Sequence, residues 1–179
     1  MDATEFGSVA VRPLWPGDIE AVLVIAAESP QAAAWSRESY EKLLEQPRSV
    51  ALVAEFARVA GKAEEGLAGT GIGPVEEGLG QQHRLAGFLV GRVAGADAEV
   101  LNLAIPAANR CRGYATGLLQ AAMEAFKSLG AESVYLEVRQ SNTIAIAFYR
   151  KHGFTSTGLR KGYYRDPDEP ALTMSKSLK

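Results

Sequence analysis

The sequence contains a single cysteine, Cys111, so it builds neither an intramolecular disulfide framework nor a multi-cysteine metal site. Its two histidines, His83 and His152, lie far apart without ligand-type spacing, which speaks against a zinc enzyme. No apolar run approaches the roughly 20 residues of a membrane span. The first twenty residues carry Asp2, Glu5, Arg12 and Asp18 and no apolar stretch, so no signal peptide is expected and the cytoplasm is the expected location. Charge of one sign is not in excess either. The net charge is −2, from 19 Lys+Arg against 21 Asp+Glu, which argues against a surface that grips nucleic acid as a whole.

What remains is an ordinary globular composition. With 179 residues, 47% hydrophobic and 22% charged, the chain is long enough for one domain with a sizeable core. The near-neutral sum conceals an asymmetry. Residues 1–100 hold 8 basic and 15 acidic side chains, whereas residues 101–179 hold 11 basic and 6 acidic ones. A basic second half in a neutral chain suggests a local anionic ligand.

Periodicity and punctuation divide the chain. Val9–Leu14 reads as an edge strand ended near Pro13. Asp18 is the candidate cap of a helix with Ile19, Val22, Leu23 and Ala26 on its apolar face, closed by Pro30. Ser36 is the N-cap candidate of a second helix ending at Pro47, with Trp35 placed to staple onto Tyr40. Val50–Phe56 reads as a strand. Residues 59–82 hold 7 of the 18 glycines and little apolar periodicity, and are expected to be a flexible insertion in a single domain spanning 1–179.

Leu85–Val93 and Glu99–Ile105 read as strands joined by a turn at Gly95-Ala96-Asp97. A helix is expected from Gly113 to about Ser128, with Leu118, Leu119, Ala122, Met123 and Phe126 buried. Ser133–Arg139 is a strand, Asn142–Lys151 a short helix stopped by Gly153, and Phe154–Leu159 and Ala171–Ser175 close the sheet. The order β-α-α-β-β-β-α-β-α-β-β describes an α+β, mixed-sheet plan.

The stretch richest in chemistry runs from Asn102-Leu103-Ala104-Ile105 through Arg110-Cys111-Arg112-Gly113-Tyr114-Ala115 into a helix. Free N–H groups at a helix start, together with the helix dipole, favour an anion. Gly113 and Ala115 let a phosphate approach the backbone, and Arg110 and Arg112 add charge. Taken alone, the loop is equally an ordinary strand-to-helix turn with two solvated arginines. It is neither a Walker loop nor a dinucleotide G-x-G-x-x-G motif.

That loop, together with Leu136-Glu137-Val138-Arg139-x-Ser141-Asn142-x-x-Ala145-Ile146-x-Phe148-Tyr149-x-x-x-Gly153-Phe154, resembles the GNAT family of acyl-CoA-dependent N-acetyltransferases. Within it the chain is similar to the RimI group, the ribosomal-protein-alanine N-acetyltransferases. Val11-Arg12-Pro13-Leu14, Trp35-Ser36, Arg160-Lys161-Gly162-Tyr163-Tyr164 and Ala171-Leu172-Thr173-Met174 extend the similarity. It covers nearly the whole chain except about 57–83. The resemblance implies a GNAT fold: a mostly antiparallel sheet of six to seven strands, splayed in the middle and flanked by about four helices.

The resemblance also implies roles. Arg110, Cys111, Arg112, Gly113, Tyr114 and Ala115 would hold the pyrophosphate of acetyl-CoA, and Leu103, Ala104 and Ile105 would pair with its pantetheine arm. Asn142 and Tyr149 would contact the same cofactor. Glu137 would be the general base and Tyr149 the general acid. Trp35, Asn102, Glu137, Arg139, Tyr163 and Tyr164 would serve the acceptor. No metal is required. The implied partner is an acceptor amine, foremost a ribosomal-protein N-terminus, with neither nucleic acid nor membrane, on a monomer or weak dimer.

The residues themselves leave alternatives open. Tyr149 could be a core tyrosine, Asn142 only a helix cap, and Tyr163-Tyr164 a cover for the sheet edge. Four departures from the RimI pattern stand out: Pro106-Ala107, Arg110 in place of Gln, the 28–35 stretch and the long 59–82 stretch. The last two leave room for a small-molecule amine as acceptor. A non-catalytic acyl-CoA-binding module is the remaining alternative.

Overall fold

A computed structural model describes residues 4–6, 9–56 and 85–179. The expected insertion at 59–82 therefore lies outside the described residues, as does His83. In chain order the strands are β1 (Thr4–Phe6), β2 (Val9–Pro13), β3 (Ser49–Glu55), β4 (Leu85–Ala94), β5 (Asp97–Ala104), β6 (Ser133–Arg139), β7 (Thr155–Arg165) and β8 (Asp168–Ser177). The helices are α1 (Ile19–Ala27), α2 (Arg37–Leu44), α3 (Tyr114–Ser128) and α4 (Thr143–Lys151). The strands form one sheet in the order β1-β2-β3-β4-β5-β6-β8-β7. Every pairing is antiparallel except β5 with β6. This is the expected mixed, mostly antiparallel plan with one added edge strand, the three-residue β1.

Each face of the sheet is covered by two helices, and each has its own core. On one face, Leu118, Leu119, Ala122 and Phe126 of α3, with Ile146 and Tyr149 of α4, pack on Val134, Leu136 and Val138 of β6 and on Val100 of β5. On the other, Ile19, Val22 and Ile25 of α1 and Tyr40 and Leu43 of α2 pack on Val53, Phe88, Val90 and Ala104. Alternation along β6 thus puts Leu136 and Val138 under α3 and α4. Tyr135, Glu137 and Arg139 face the α1–α2 side, as period-two side chains must.

Local signals explain most boundaries. Ser36 caps α2, its hydroxyl accepting from the Ser39 N–H, and Trp35 packs on Tyr40 with ring centroids 5.3 Å apart, completing the staple. Asp18 departs from expectation. Its carboxylate makes no cap for α1. It accepts instead from Arg12 Nη1 at 2.6 Å and Nη2 at 3.0 Å and from the Trp15 N–H at 2.8 Å. A buried, bidentate arginine outcompetes a helix end for the same carboxylate. Strands β7 and β8 are also longer than the expected Phe154–Leu159 and Ala171–Ser175. They run on as a hairpin through Arg165 and back from Asp168, which carries Arg160, Tyr163 and Tyr164 on β7 itself.

Candidate active site

The site begins where the parallel pair β5–β6 stops pairing. Asp97 to Val100 align with Ser133 to Leu136, and no pairing continues beyond Val100 and Leu136. The cause lies in β5. Its register against β4 shifts between Val90, opposite Asn102, and Gly91, opposite Val100, leaving Leu101 as an extra residue. Such a bulge bends and twists its strand. Leu101 and Asn102 consequently turn to the same face, Leu101 packing on the α1–α2 core and Asn102 reaching the α1–α2 loop. Among the described residues the edge of β5 from Leu101 to Ala104 then has no strand partner on the β6 side, and a gap opens between the two strands.

At the helical end of β5 the chain passes a short turn, Ala107–Asn109, and enters the loop at 110–113. Cys111 has φ +61° and Gly113 φ +86°, so the loop turns twice through the left-handed region before α3 starts. Among the described residues no side chain caps α3. Its first intrahelical bond runs from the Gly117 N–H to the Gly113 carbonyl, which leaves the Tyr114, Ala115 and Thr116 N–H groups ahead of the helix ladder. Arg110, Cys111 and Arg112 are exposed, and Arg110 Nε donates to the Ile105 carbonyl at 3.2 Å. A cationic loop with an uncapped helix start is chemically suited to a diphosphate. The end of α4 joins it through the Thr116–His152 side-chain hydrogen bond of 3.3 Å. Burial, and then the charges of Lys176 and Lys151, lower the His152 pKa and favour the neutral ring.

Glu137 is the first β6 residue beyond the paired stretch. It is 20% exposed, and Arg160 Nη1 donates to its Oε1 at 3.1 Å. The Tyr163 hydroxyl is also its partner. That hydrogen bond, with burial second, pushes the Tyr163 pKa up to about 12. Tyr149 is buried on the opposite face, packed edge-on against Phe148 and Phe154 at 5.3 and 5.6 Å. Burial, and secondarily the charge of Tyr164, raise its hydroxyl far above the ordinary value. Tyr149 therefore keeps its proton throughout the physiological range. Tyr164 links the two faces electrostatically: burial raises its pKa, Arg139 opposes that rise, and Glu137 adds to it.

Other expected site residues are engaged in holding the site's shape. Asn102 is 6% exposed; its Nδ2 donates to the Ala33 carbonyl at 2.9 Å and its Oδ1 accepts from the Ala33 N–H at 3.4 Å. It fastens the α1–α2 loop to β5. Arg139 pairs with Glu169 at 2.7 Å, donates to the Asp166 carbonyl at 3.2 Å and lies 4.0 Å from the centre of the Tyr164 ring. Glu169 also accepts from the Ser141 N–H. Arg139 thereby ties the tip of the β7–β8 hairpin to β6. Asn142 caps α4, its Oδ1 accepting from the Ala145 N–H at 3.1 Å. Trp35 borders a shallow cavity of about 250 Å³ with Leu101, Leu43 and Arg92. Sequence reasoning misses Glu169 and gives Arg160 no role. Their partners stand 30 and 23 residues away, beyond any local pattern.

The sequence matches the model of the acetyltransferase (GNAT) family over residues 19–154. A [ribosomal protein bS18]-alanine N-acetyltransferase of Haemophilus ducreyi is 38% identical over 101 residues, 55% of this chain and 70% of that one. A Bacillus subtilis (strain 168) protein, provisionally named for the same activity, is 32% identical over 166 residues, 92% of this chain and 93% of that one. Among solved structures, Ard1 from Thermoplasma volcanium superposes with a TM-score of 0.74 at 28% identity, covering 97% of this chain and 99% of that one.

Proposed function

The chain belongs to the acetyltransferase (GNAT) family, and from that premise we propose that it moves an acetyl group from acetyl-CoA to the N-terminal α-amine of a protein, with the alanine N-terminus of a ribosomal protein as foremost acceptor. The observation that carries this reading is the parting of β5 and β6 after Val100 and Leu136, with Glu137 on one face of the gap and Tyr149 on the other. The names of the H. ducreyi and B. subtilis relatives support the acceptor. Among the described residues no helix is long and apolar enough to cross a membrane.

The residues present suit acetyl-CoA. The uncapped start of α3 and the left-handed Cys111 and Gly113 offer backbone N–H groups to a pyrophosphate. Arg110, Arg112, Tyr114 and Ala115 complete that loop, and Leu103, Ala104 and Ile105 present the free edge of β5 to an extended arm. Asn142, at the start of α4, completes the set. Bound acetyl-CoA would supply the thioester that acylates the amine.

The chain's own groups handle the protons. Amide formation joins the amine nitrogen to the acetyl carbon and breaks the carbon–sulfur bond. Glu137, directly or through water, takes one proton from the nitrogen. Tyr149 gives one to the departing sulfur. An α-amine, with a pKa of roughly 7.7–8.0 against about 10.4 for lysine, reaches its neutral form with modest help, which suits a carboxylate base. Asn102 and Arg139 act as positioning residues for the loops that frame the acceptor, beside Trp35, Tyr163 and Tyr164.

Incubation with acetyl-CoA and peptides of varied N-terminal residue, read by mass spectrometry, tests the proposal. The expected product is acetylated at the α-amine, with alanine preferred. Transfer only to small amines such as spermidine would replace this acceptor with another, and tight acetyl-CoA binding without transfer to any amine would make the protein a binding module.

A further inference from the structure

The surroundings of Glu137 carry more than its role as a base requires. Its two partners, Arg160 and Tyr163, both come from one irregularity in β7. Pairing with β8 passes from Arg160 opposite Ala171 to Tyr164 opposite Glu169, so Lys161, Gly162 and Tyr163 lie across from Pro170 alone. Pro170 has no N–H to donate, which favours a break in the ladder at that point. Gly162 takes φ +60°, the conformation that lets the extra residues loop out. The loop brings Arg160 Nη1 to 3.1 Å from Glu137 Oε1. Although Arg160 is 63% exposed, its guanidinium is also held 4.6 Å from the centre of the Tyr163 ring. Arg139, the neighbouring cation on β6, is committed to Glu169. Arg160 is thus the cation that stands at the base.

We propose that Arg160 is a specificity-determining residue, excluding amines that arrive as cations and so selecting α-amines over lysine side chains; this rests on the reading that Glu137 meets the acceptor amine. An α-amine is partly neutral near pH 7.5 and approaches the carboxylate beside the guanidinium without charge conflict. A lysine ammonium remains almost wholly cationic there. It must evict Arg160 from Glu137 and Tyr163 or sit against a like charge, and like-charge juxtaposition in a binding site is strongly unfavourable.

The test compares two peptides, one with a free N-terminal alanine and no lysine, the other with a blocked N-terminus and one lysine. In Arg160→Gln, kcat/KM for the first relative to the second should fall by about tenfold, chiefly through a lower KM for the lysine peptide. Arg160→Lys keeps the charge and should hold the ratio within about twofold of wild type. A role confined to holding the fold would lower both peptides alike. An unchanged ratio in Arg160→Gln, or an equal fall in Arg160→Lys, overturns the proposal. Calorimetric affinities of the two peptides for wild type and Arg160→Gln probe the same preference without turnover: the lysine peptide should bind the variant more tightly, and equal affinity for both proteins would also overturn the proposal. Glu137→Gln is assayed alongside, and undiminished turnover in it would refute the base, a failure visible separately from that of Arg160.

Discussion

The two ends of the β5–β6 pair are built from the same two strands, and only one of them is hydrogen-bonded. From Asp97 to Val100 and Ser133 to Leu136 the strands are hydrogen-bonded, and Val100, Val134 and Leu136 lie buried under α3. Past that point the strands part, with Asn102 on β5 and Glu137 and Arg139 on β6. One extra residue, Leu101, separates the regimes. A buried strand edge without a partner is costly to a fold, so the open end is expected where a ligand supplies hydrogen bonds. The paired end should answer to stability measurements and the parted end to binding and turnover.

The sharpest contrast is expected at the loop that follows the parted end. Gly113→Asp puts a carboxylate, and a side chain at φ +86°, where a pyrophosphate would lie. Acetyl-CoA binding should be lost in calorimetry while circular dichroism still reports the native fold. Unchanged affinity would detach this loop from the cofactor. At the paired end, Leu136→Ala should cost about 2–5 kcal/mol in denaturant unfolding, the range for emptying a buried leucine site. A loss of acetyl-CoA affinity in that variant without loss of stability would erase the distinction between the two ends.

The smallest effect concerns the β7–β8 hairpin that Arg139 ties to β6. Arg139 and the Ser141 N–H hold the Glu169 pKa below its usual value near 4.5, the arginine hydrogen bond being the larger cause. A carboxylate whose pKa is lowered in the folded state stabilises that state above its unfolded pKa. The stabilisation is lost as pH falls from about 4.5 through the lower folded value. Thermal melts should show this acid-side loss in the wild type and a weaker pH dependence in Arg139→Met. Equal slopes would mean that the pair does not hold the hairpin.

The paired end is legible in the sequence and the parted end only in outline. Ser133–Arg139 and the α3 stripe of Leu118, Leu119, Ala122 and Phe126 announce themselves through period two and period 3.6, because burial imposes those periods locally. Ser36 and Trp35 are legible for the same reason, since a cap and its staple lie within five residues. The bulge at Leu101 carries no local mark; it is defined by what β4 does opposite. Asp18 has the composition of a cap, and only Arg12, arriving from β2, takes it elsewhere. The β7–β8 hairpin outruns its sequence signal because its exposed strand lacks an apolar face. Residue type picks out the 110–115 loop and the resemblance to the GNAT family picks out Glu137 and Tyr149, whereas the duties of Asn102, Arg139 and Arg160 depend on partners distant in sequence.

The central claim is that the parted end performs acid–base chemistry through Glu137 and Tyr149. The most direct measurement is the pH dependence of single-turnover acetyl transfer in Glu137→Gln and Tyr149→Phe, with acetyl-CoA affinity determined in parallel. Each variant should bind acetyl-CoA nearly as the wild type does and transfer its acetyl group on the order of 10²–10⁴-fold more slowly near pH 7. Glu137→Gln should recover partly at alkaline pH, where the acceptor amine is already neutral, and Tyr149→Phe should not, since alkali does nothing to protonate a departing sulfur. Near-normal transfer in both variants, with chemistry rate-limiting, would contradict the account and leave positioning alone to explain catalysis.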